Sequence, residues 1–555
     1  MTVFRSFPEL SGAMPTLSAA QIDQLGSFGA ALDVRAGDAL FSAGEPTRAL
    51  FLLDTASARI FRPATPIAAE APIIEFGPGH FVGEFTLLTG QNQYLTALVT
   101  EGGRVHRIDL TGFRRAMAED PALSDVLLRA LLTRRERLRD SPARDALQIV
   151  GAELSAAGLA LRTYAARHML PHRWLDSTSP EAAELLAATG LSAADLPAVV
   201  LGDGAIAHAT PGLLSEHIGL SRSPADATVE DVVIVGAGPA GLAAAVYAAS
   251  EGLRTALVDG EGVGGQAARS SRIENFLGFP FGLSGGDLAE RAQTQALKFG
   301  ARIYTPCLVT ALDATGPGYR VTLSDGKVIT TRTVLLATGA RYRTLPLERW
   351  AEFEDDGIFY AATEIEGRAC GGRPVAVLGG GNSAGQAALF LATRDCSVEL
   401  VLRGDELDAG MSDYLVQRVR SDPRITVSTG TEVVGLDGDD RLGAIRLRAR
   451  AGGGTRVQPC SGLFCFIGAE PSTGWLPSIA VDEDGFVLTG VQLGPEQWTE
   501  PGRRPLPFET SVPRVFAVGD VRVGSMKRVA AAAGEGASAV PSLHAALAGL
   551  RADSA

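Results

Sequence analysis

The sequence predicts a multidomain chain in which a β-roll is followed by a smaller α/β unit and then by two Rossmann-type three-layer α/β domains. Three patterns lead to this. Two glycine-rich turns, VVIVGAGPAG ending at Gly241 and VAVLGGGNSA ending at Ala384, each follow an apolar strand and open an alanine-rich helix. From 30 to 110, short alternating strands are broken by glycine and proline, as in small β-rolls. From 146 to 220, strand-like and helix-like runs alternate. A chain of 555 residues has room for about three or four units, each able to bury its own core.

In chain order the roll comes first, with ALDVRAGDALFSAGEP, ALFLLDTASARIFRP and GPGHFVGEFTLLTG as its strand-and-turn runs. It resembles a cyclic-nucleotide-binding domain, with VGEFTLLTG matching the family's phosphate-binding cassette. The resemblance makes Gly83 and Glu84 candidate ligand residues, Glu84 falling where a ribose hydroxyl is held. The cassette's arginine aligns with Gln93, so the bidentate bond to a cyclic phosphate is lost. Removing such a buried partner costs on the order of 2–5 kcal/mol. A structural or interaction module is expected ahead of a module for some nucleotide or other small ligand. The run DVLLRALLTRRERLRD then has leucines at helical spacing and predicts a core helix with solvated arginines.

The next unit reads as strand LQIVG, helix LALRTYAARHM, strand HRWLD, helix PEAAELLAATG, strands LPAVVL and AIAHA, and helix PGLLSEHIGL. This order resembles a thioredoxin or glutaredoxin fold, with Asp195-Leu196-Pro197 where that fold places a cis-proline. The stretch that would carry its dithiol is Glu153-Leu154-Ser155-Ala156-Ala157-Gly158, without cysteine, which suits a docking or spacer module. SRSPADAT at 221–228 reads as a linker.

The two glycine turns predict two dinucleotides. The first glycine makes the bend, the second lets backbone approach a pyrophosphate, and the third small residue lets helix pack on strand. The candidates are Gly236, Gly238 and Gly241 in one turn, and Gly379, Gly381, Asn382 and Ser383 in the other. Asp259 closes the strand after the first turn, where a carboxylate accepts ribose hydroxyls, and this suits FAD. Arg403 occupies the corresponding place after the second turn and suits the 2′-phosphate of NADPH, while Gly404, Asp405 and Glu406 beside it leave NADH open. A further strand, VPRVFAVGD, ends at Asp520 ahead of a helix expected to start near Met526.

From about residue 229 onward the chain resembles a thioredoxin reductase-type flavoprotein. The pieces are VGAGPAG, GGQ at 264–266, IENFLGFP at 273–280, LLATGA ending at Ala340, GGGNSA, and AVGD ending at Asp520. The resemblance implies FAD contacts at Gly236, Gly238, Gly241, Asp259, Gly265, Gln266, Asn275, Gly519 and Asp520. It also implies a nicotinamide-nucleotide domain inserted within the FAD domain, and a homodimer. The expected boundaries are 1–140, 141–225, 226–345, 346–465 and 466–555.

One departure is chemical. The family's CxxC stretch aligns with Tyr360-Ala361-Ala362-Thr363-Glu364, and neither alanine nor glutamate attacks a disulfide. The five cysteines are Cys307, Cys370, Cys396, Cys460 and Cys465. Cys460 and Cys465 would face opposite sides of an extended strand, and Cys307 and Cys396 read as small buried residues of strand-like segments. Glu364, in a cysteine's place, and Lys527 and Arg528, at the mouth of the last helix, are the candidate catalytic or flavin-tuning residues.

A net charge of −13 argues against nucleic acid and anionic membranes as partners. Few cysteines suit a reducing compartment, and no leader or membrane-length apolar run is evident, so the cytoplasm is expected. Seven scattered histidines and no CxxC give no metal motif. The expectation is a flavoenzyme that takes hydride from NADPH, with NADH as alternative, and delivers electrons to oxygen, a quinone, a ferredoxin-like carrier or a partner protein. The other readings are a non-catalytic redox sensor and, by family label, a thioredoxin-disulfide reductase.

Overall fold

A computed structural model describes residues 14–552 except 47–48, 140, 153–154, 203, 221–228, 271–272, 274, 316–317, 354–356, 361, 363, 440, 477–478 and 501; the side chains of Glu84 and Glu364 also lie outside the description. The expected linker falls wholly within the excluded residues.

The alternating front segment folds into two antiparallel four-stranded sheets. One has the order Ala30–Val34, Gly103–Asp109, Ala49–Leu53, Phe81–Val82; the other has Ala39–Phe41, Thr96–Glu101, Ser57–Arg62, Ala71–Phe76. Their inner faces share one core with the next unit, where Leu53 and Val99 pack in the same cluster as Ile149, Tyr164 and Leu214. Burial is cheapest when apolar faces of neighbouring units cover each other, so the two front units are joined by hydrophobic contact rather than by the chain alone.

The helix Pro121–Arg139 corrects one expectation. Its arginines are not all solvated: Arg134 donates to the Phe81 carbonyl oxygen and lies over the Phe76 and Phe81 rings, and the Arg135 side chain is only 3% exposed, 3.3 Å from Glu290 of a later domain. A buried guanidinium requires a paired carboxylate, and the carboxylate comes from a distant part of the chain.

In the middle unit Arg173–Asp176 runs parallel to Leu147–Gly151, while Ala198–Leu201 and Gly204–Ile206 follow antiparallel, in the order Arg173, Leu147, Ala198, Gly204 across the sheet. Helices Ala156–Arg167, Pro180–Ala188 and Pro211–His217 accompany it, and the Leu196–Pro197 peptide is cis.

The strand Glu230–Val235, buried throughout, is central to a seven-stranded sheet with Thr255–Val258 and Val328–Leu336 parallel on either side. Val515–Ala517 returns to pair in parallel with Val328–Leu336. The intervening chain therefore forms an inserted domain with its own five-stranded parallel sheet: Ile358–Phe359, Leu463–Cys465, Pro374–Leu378, Ser397–Val401, Ile425–Ser428. An antiparallel ladder of Ala340–Tyr342 and Ala469–Pro471 carries the chain in and out.

The last helix spans Val529–Ala552, three residues later than expected, and crosses Pro239–Ser250 so closely that a Cβ on Gly536 would lie 2.0 Å from the Ala240 carbonyl oxygen. Only glycine allows that approach.

Two cysteine expectations are also corrected. Cys460 lies before the strand Leu463–Cys465 and packs in one cluster with Cys465, so the two do not face opposite sides. Cys307 lies between strands and is half-buried, whereas Cys396 is fully buried as expected.

Candidate functional site

At the first turn, a Cβ on Gly236 would lie 2.2 Å from the Ala337 carbonyl oxygen, and one on Gly241 would lie 1.9 Å from that of Gly236. These two glycines seal strand, turn and helix together. Gly238, which caps Pro239–Ser250, faces open space instead. Backbone N–H groups and the positive helix end thus face an open cradle of a shape and polarity that suit an anion. Gly265, with φ +54°, would bring a Cβ 3.0 Å from the Gly238 Cα, so it forms the facing wall.

Asp259 does more than await a ribose. Its Oδ2 accepts the Ala237 N–H at 2.8 Å, and its Oδ1 accepts those of Glu261 and Gly262, each at 2.8 Å. A carboxylate has about four acceptor sites, so one remains for a ligand hydroxyl. Burial raises its pKa against the opposing pull of these backbone donors. The Gln266 side chain donates to the Ala340 carbonyl oxygen, and Asn275 is exposed.

The other end of the cradle is built on the return strand. The Asp520 Oδ1 is buried with no partner among the described residues, and burial, opposed by Lys527 and reinforced by Glu535, pushes the Asp520 pKa up to about 6. An orphaned carboxylate oxygen beside an open glycine cradle fits a hydroxyl-rich dinucleotide. Beside it, Glu535 accepts the Gly519 N–H at 2.7 Å and grips Arg522 through Nε at 2.8 Å and Nη2 at 2.9 Å. The sequence reading missed this pair; GEG at 534–536 was its signal, since glycines flank a carboxylate where two helices touch. Lys527 and Arg528 lie exposed just before the last helix, and the Lys527 Nζ lies 4.5 Å from the Phe486 ring centre.

A pH dependence follows. Without cofactor the folded chain keeps a proton on Asp520 up to about pH 6, whereas an unfolded aspartate releases it near pH 4. Between these values the folded form binds the extra proton, so its stability falls as pH rises. A ligand hydroxyl donated to the free oxygen favours the charged form. FAD affinity is therefore expected to be about tenfold weaker at pH 5 than at pH 7.5, with the slope lost in Asp520→Asn, as measured by titrating deflavinated protein.

At the second turn, Gly379 has φ +142° and a Cβ there would lie 2.4 Å from the Phe466 carbonyl oxygen. Gly381 caps Asn382–Ala392; the Asn382 Oδ1 accepts the Ser412 N–H at 2.7 Å, and Ser383 is exposed. The Arg403 side chain is exposed, and its carbonyl oxygen accepts from Arg450, a neighbouring cation that the sequence reading did not single out.

In the β-roll, Gly83 has φ +93° and a Cβ would meet the Ala49 carbonyl oxygen at 2.7 Å, while the Glu84 side chain lies outside the description. The rest of the cassette is engaged by the protein itself. The Asn92 N–H donates to the Ile218 carbonyl oxygen at 2.8 Å and its Nδ2 to that of His217 at 3.1 Å. Buried Tyr94 donates to the Gln91 Oε1, and Gln93 is 7% exposed. The cassette helix Glu84–Thr89 packs on Gly285–Lys298 of the flavin domain.

Among the described residues no group of His, Cys, Asp and Glu is arranged to hold a metal, and no helix is long and apolar enough to cross a membrane. Comparison with known proteins agrees with the geometry. The family described as Pyridine nucleotide-disulphide oxidoreductase matches residues 230–536, and the Cyclic nucleotide-binding domain matches 31–120. The thioredoxin reductase of Treponema pallidum (strain Nichols) is 34% identical over 310 residues, covering 56% of this chain and 94% of that protein. A bifunctional thioredoxin reductase/thioredoxin of Mycobacterium leprae (strain TN) is 33% identical over 313 residues, covering 56% of this chain and 64% of that protein. The solved T. acidophilum thioredoxin reductase matches with a TM-score of 0.51 and 28% identity, covering 57% of this chain and 98% of its own. With both glycine cradles, the orphaned Asp520 oxygen and the inserted second domain in place, the chain belongs to the pyridine nucleotide-disulphide oxidoreductase family, as a thioredoxin reductase-like flavoprotein of FAD and NADPH preceded by a cyclic nucleotide-binding domain.

Proposed function

We propose that this chain is an FAD-dependent NADPH oxidoreductase that delivers electrons to an acceptor outside the chain rather than through an internal cysteine pair. The observation that carries this is the sequence Tyr360-Ala361-Ala362-Thr363-Glu364 where the resemblance to the family implies a CxxC. The remaining thiols support it. Four of the five cysteines are buried, none of the five is in a disulfide, and burial pushes Cys370 and Cys460 up to about 12 and half-buried Cys307 up to about 11. Thiols so raised are protonated at neutral pH and are poor nucleophiles.

When bound, the flavin supplies the hydride-accepting and electron-releasing chemistry. Gly236, Gly238, Gly241, Gly265, Asp259 and Asp520 bind and orient it; Gly379, Gly381, Asn382, Ser383 and Arg403 hold the nicotinamide nucleotide. Lys527 and Arg528, at the start of Val529–Ala552, place positive charge where negative charge grows on reduction. Glu364 stands in a cysteine's place. The acceptor classes are oxygen, a quinone, a ferredoxin-like carrier or a partner protein.

The middle unit is read as a cysteine-free thioredoxin-like module, on its mixed sheet order and helix positions. A homodimer is supported by Leu277 and Phe281, 95% and 87% exposed, beside an apolar cavity of about 280 Å³ that includes Leu242, Val246, Phe276 and Phe279. The buried Arg135–Glu290 pair favours a second reading, a sensor in which flavin state rearranges the front units.

Anaerobic stopped-flow mixing with NADPH, followed by each acceptor class and by oxidised thioredoxin, tests the proposal. Rapid bleaching, reoxidation by a non-disulfide acceptor and background rates with thioredoxin are expected. Sustained thioredoxin reduction would overturn it, and no bleaching would leave the sensor. A separate prediction concerns the roll. With Gln93 in the arginine's place and the cassette gripped by the middle unit, 1 mM cyclic AMP is expected to leave Tm within about 1 °C, where a ligand at about 100 times its Kd adds about 2.7 kcal/mol.

A further inference from the structure

The outer corner of the FAD cradle is closed by the middle unit. Helix Ala156–Arg167 ends there, with the Arg167 side chain 6% exposed and its Nη1 donating to the Glu261 Oε2 at 3.0 Å. A Cβ on Gly262 would lie 3.3 Å from the Arg167 Cδ and 3.2 Å from the His168 Nε2. His168 is 2% exposed, with Nε2 3.3 Å from the Thr305 Oγ1, and the Ser215 Oγ donates to the Thr305 carbonyl oxygen at 3.2 Å. Behind them the Arg135 Nη2 donates to the His168 carbonyl oxygen at 2.7 Å.

This loop is the one that Asp259 organises. The acidic residue ending the second Rossmann strand takes the ribose hydroxyls of the adenosine half, so residues 259–262 line the adenosine side of the cradle. Burial and the neighbouring Arg135 and Arg167 push His168 down to about 3, so the ring is neutral and Arg167 brings positive charge to this corner. Arg167 also favours the charged form of Asp259. Its hydrogen-bonded partner Glu261 is 68% exposed, and a buried guanidinium facing a solvated carboxylate is suited to receive a further anionic or polar group.

We propose that Arg167 is an FAD-binding residue supplied from outside the Rossmann domain: its guanidinium, beside Asp259 and Glu261, completes the pocket for the adenosine end of FAD. Cofactor binding and docking of the front units are then thermodynamically linked. The inference rests on the FAD assignment and not on the identity of the acceptor.

The test titrates deflavinated full-length protein with FAD, and with ADP as a probe of the adenosine half. Arg167→Met is expected to weaken both by at least about tenfold. Arg135→Met removes one contact of the same interface while the Arg167–Glu261 and Ser215–Thr305 contacts remain, and through the linkage it is expected to weaken FAD by no more than about threefold. Wild-type affinity in Arg167→Met overturns the proposal, as does equal weakening by both variants, which would make Arg167 a docking contact only. Loss of FAD binding with ADP binding intact also overturns it. If Arg167→Met does not fold, Arg167→Lys, which retains the charge but not the planar fork, carries the test, and wild-type FAD affinity in it overturns the proposal. A wild-type chain that binds no FAD overturns this and the cofactor assignment together, and the wild-type titration alone reveals it.

Discussion

Gly241→Ala is expected to yield a chain that purifies without flavin, whereas Gly238→Ala is expected to fold normally and bind FAD weakly. The added methyl at 241 would lie 1.9 Å from the Gly236 carbonyl oxygen, a backbone atom within the turn itself. No side chain can swing aside, so helix Pro239–Ser250 must lift off its strand, at a cost of at least about 2–3 kcal/mol. The same helix packs on Val529–Ala552 through the Gly536–Ala240 contact, so lifting it disturbs both ends of the cradle. At 238 the methyl meets no atom within 4 Å, and backbone at φ −70° accepts alanine. It would occupy only the space that a pyrophosphate needs. The ratio of visible to ultraviolet absorbance, with thermal unfolding of the cofactor-free proteins, reads both effects. A fully flavinated Gly241→Ala would refute the cradle as drawn.

Arg403→Ala is expected to lower kcat/KM for NADPH by about 10–100-fold while changing that for NADH by less than about threefold. A hydrogen bond to a charged group is worth about 1.5–3 kcal/mol, which sets this range. Arg403 is exposed, so the effect belongs in the lower part and should shrink with added salt. Arg450 remains as a nearby cation through its bond to the Arg403 carbonyl oxygen, but its guanidinium is shared with Glu432 at 3.3 Å, which limits its compensation. Asp405 and Glu406, also exposed beside Arg403, repel a 2′-phosphate once the guanidinium is gone. Equal losses with both nucleotides would remove Arg403 from the phosphate site.

Much of the site was legible in advance because it rests on local rules. A glycine turn between a buried strand and a helix is written in consecutive residues, and in it Gly236 and Gly241 make close backbone contacts while Gly238 faces open space. Asp259 follows the strand Thr255–Val258 as its spacing implied, yet its use in holding Ala237, Glu261 and Gly262 was not legible, because backbone donors carry no residue identity. Asn275 carried a motif but remains exposed. The helix Pro121–Arg139 was read correctly as a helix and wrongly as solvated at Arg134 and Arg135.

The sequence by itself determined the two glycine turns between strand and helix and the lack of any CxxC spacing among its five cysteines, since each depends on short-range spacing or on composition alone. Only the tertiary structure decided which charges are buried and against what: Arg135 with Glu290, Arg167 with Glu261, Arg522 with Glu535. It also decided that the roll's cassette is held by the middle unit through Asn92. The physical reason is that burying a charge is tolerated only beside its counter-charge. For the two pairs that join the front units to the flavin domain, that counter-charge lies in another unit, on an element that no local pattern in the first reveals.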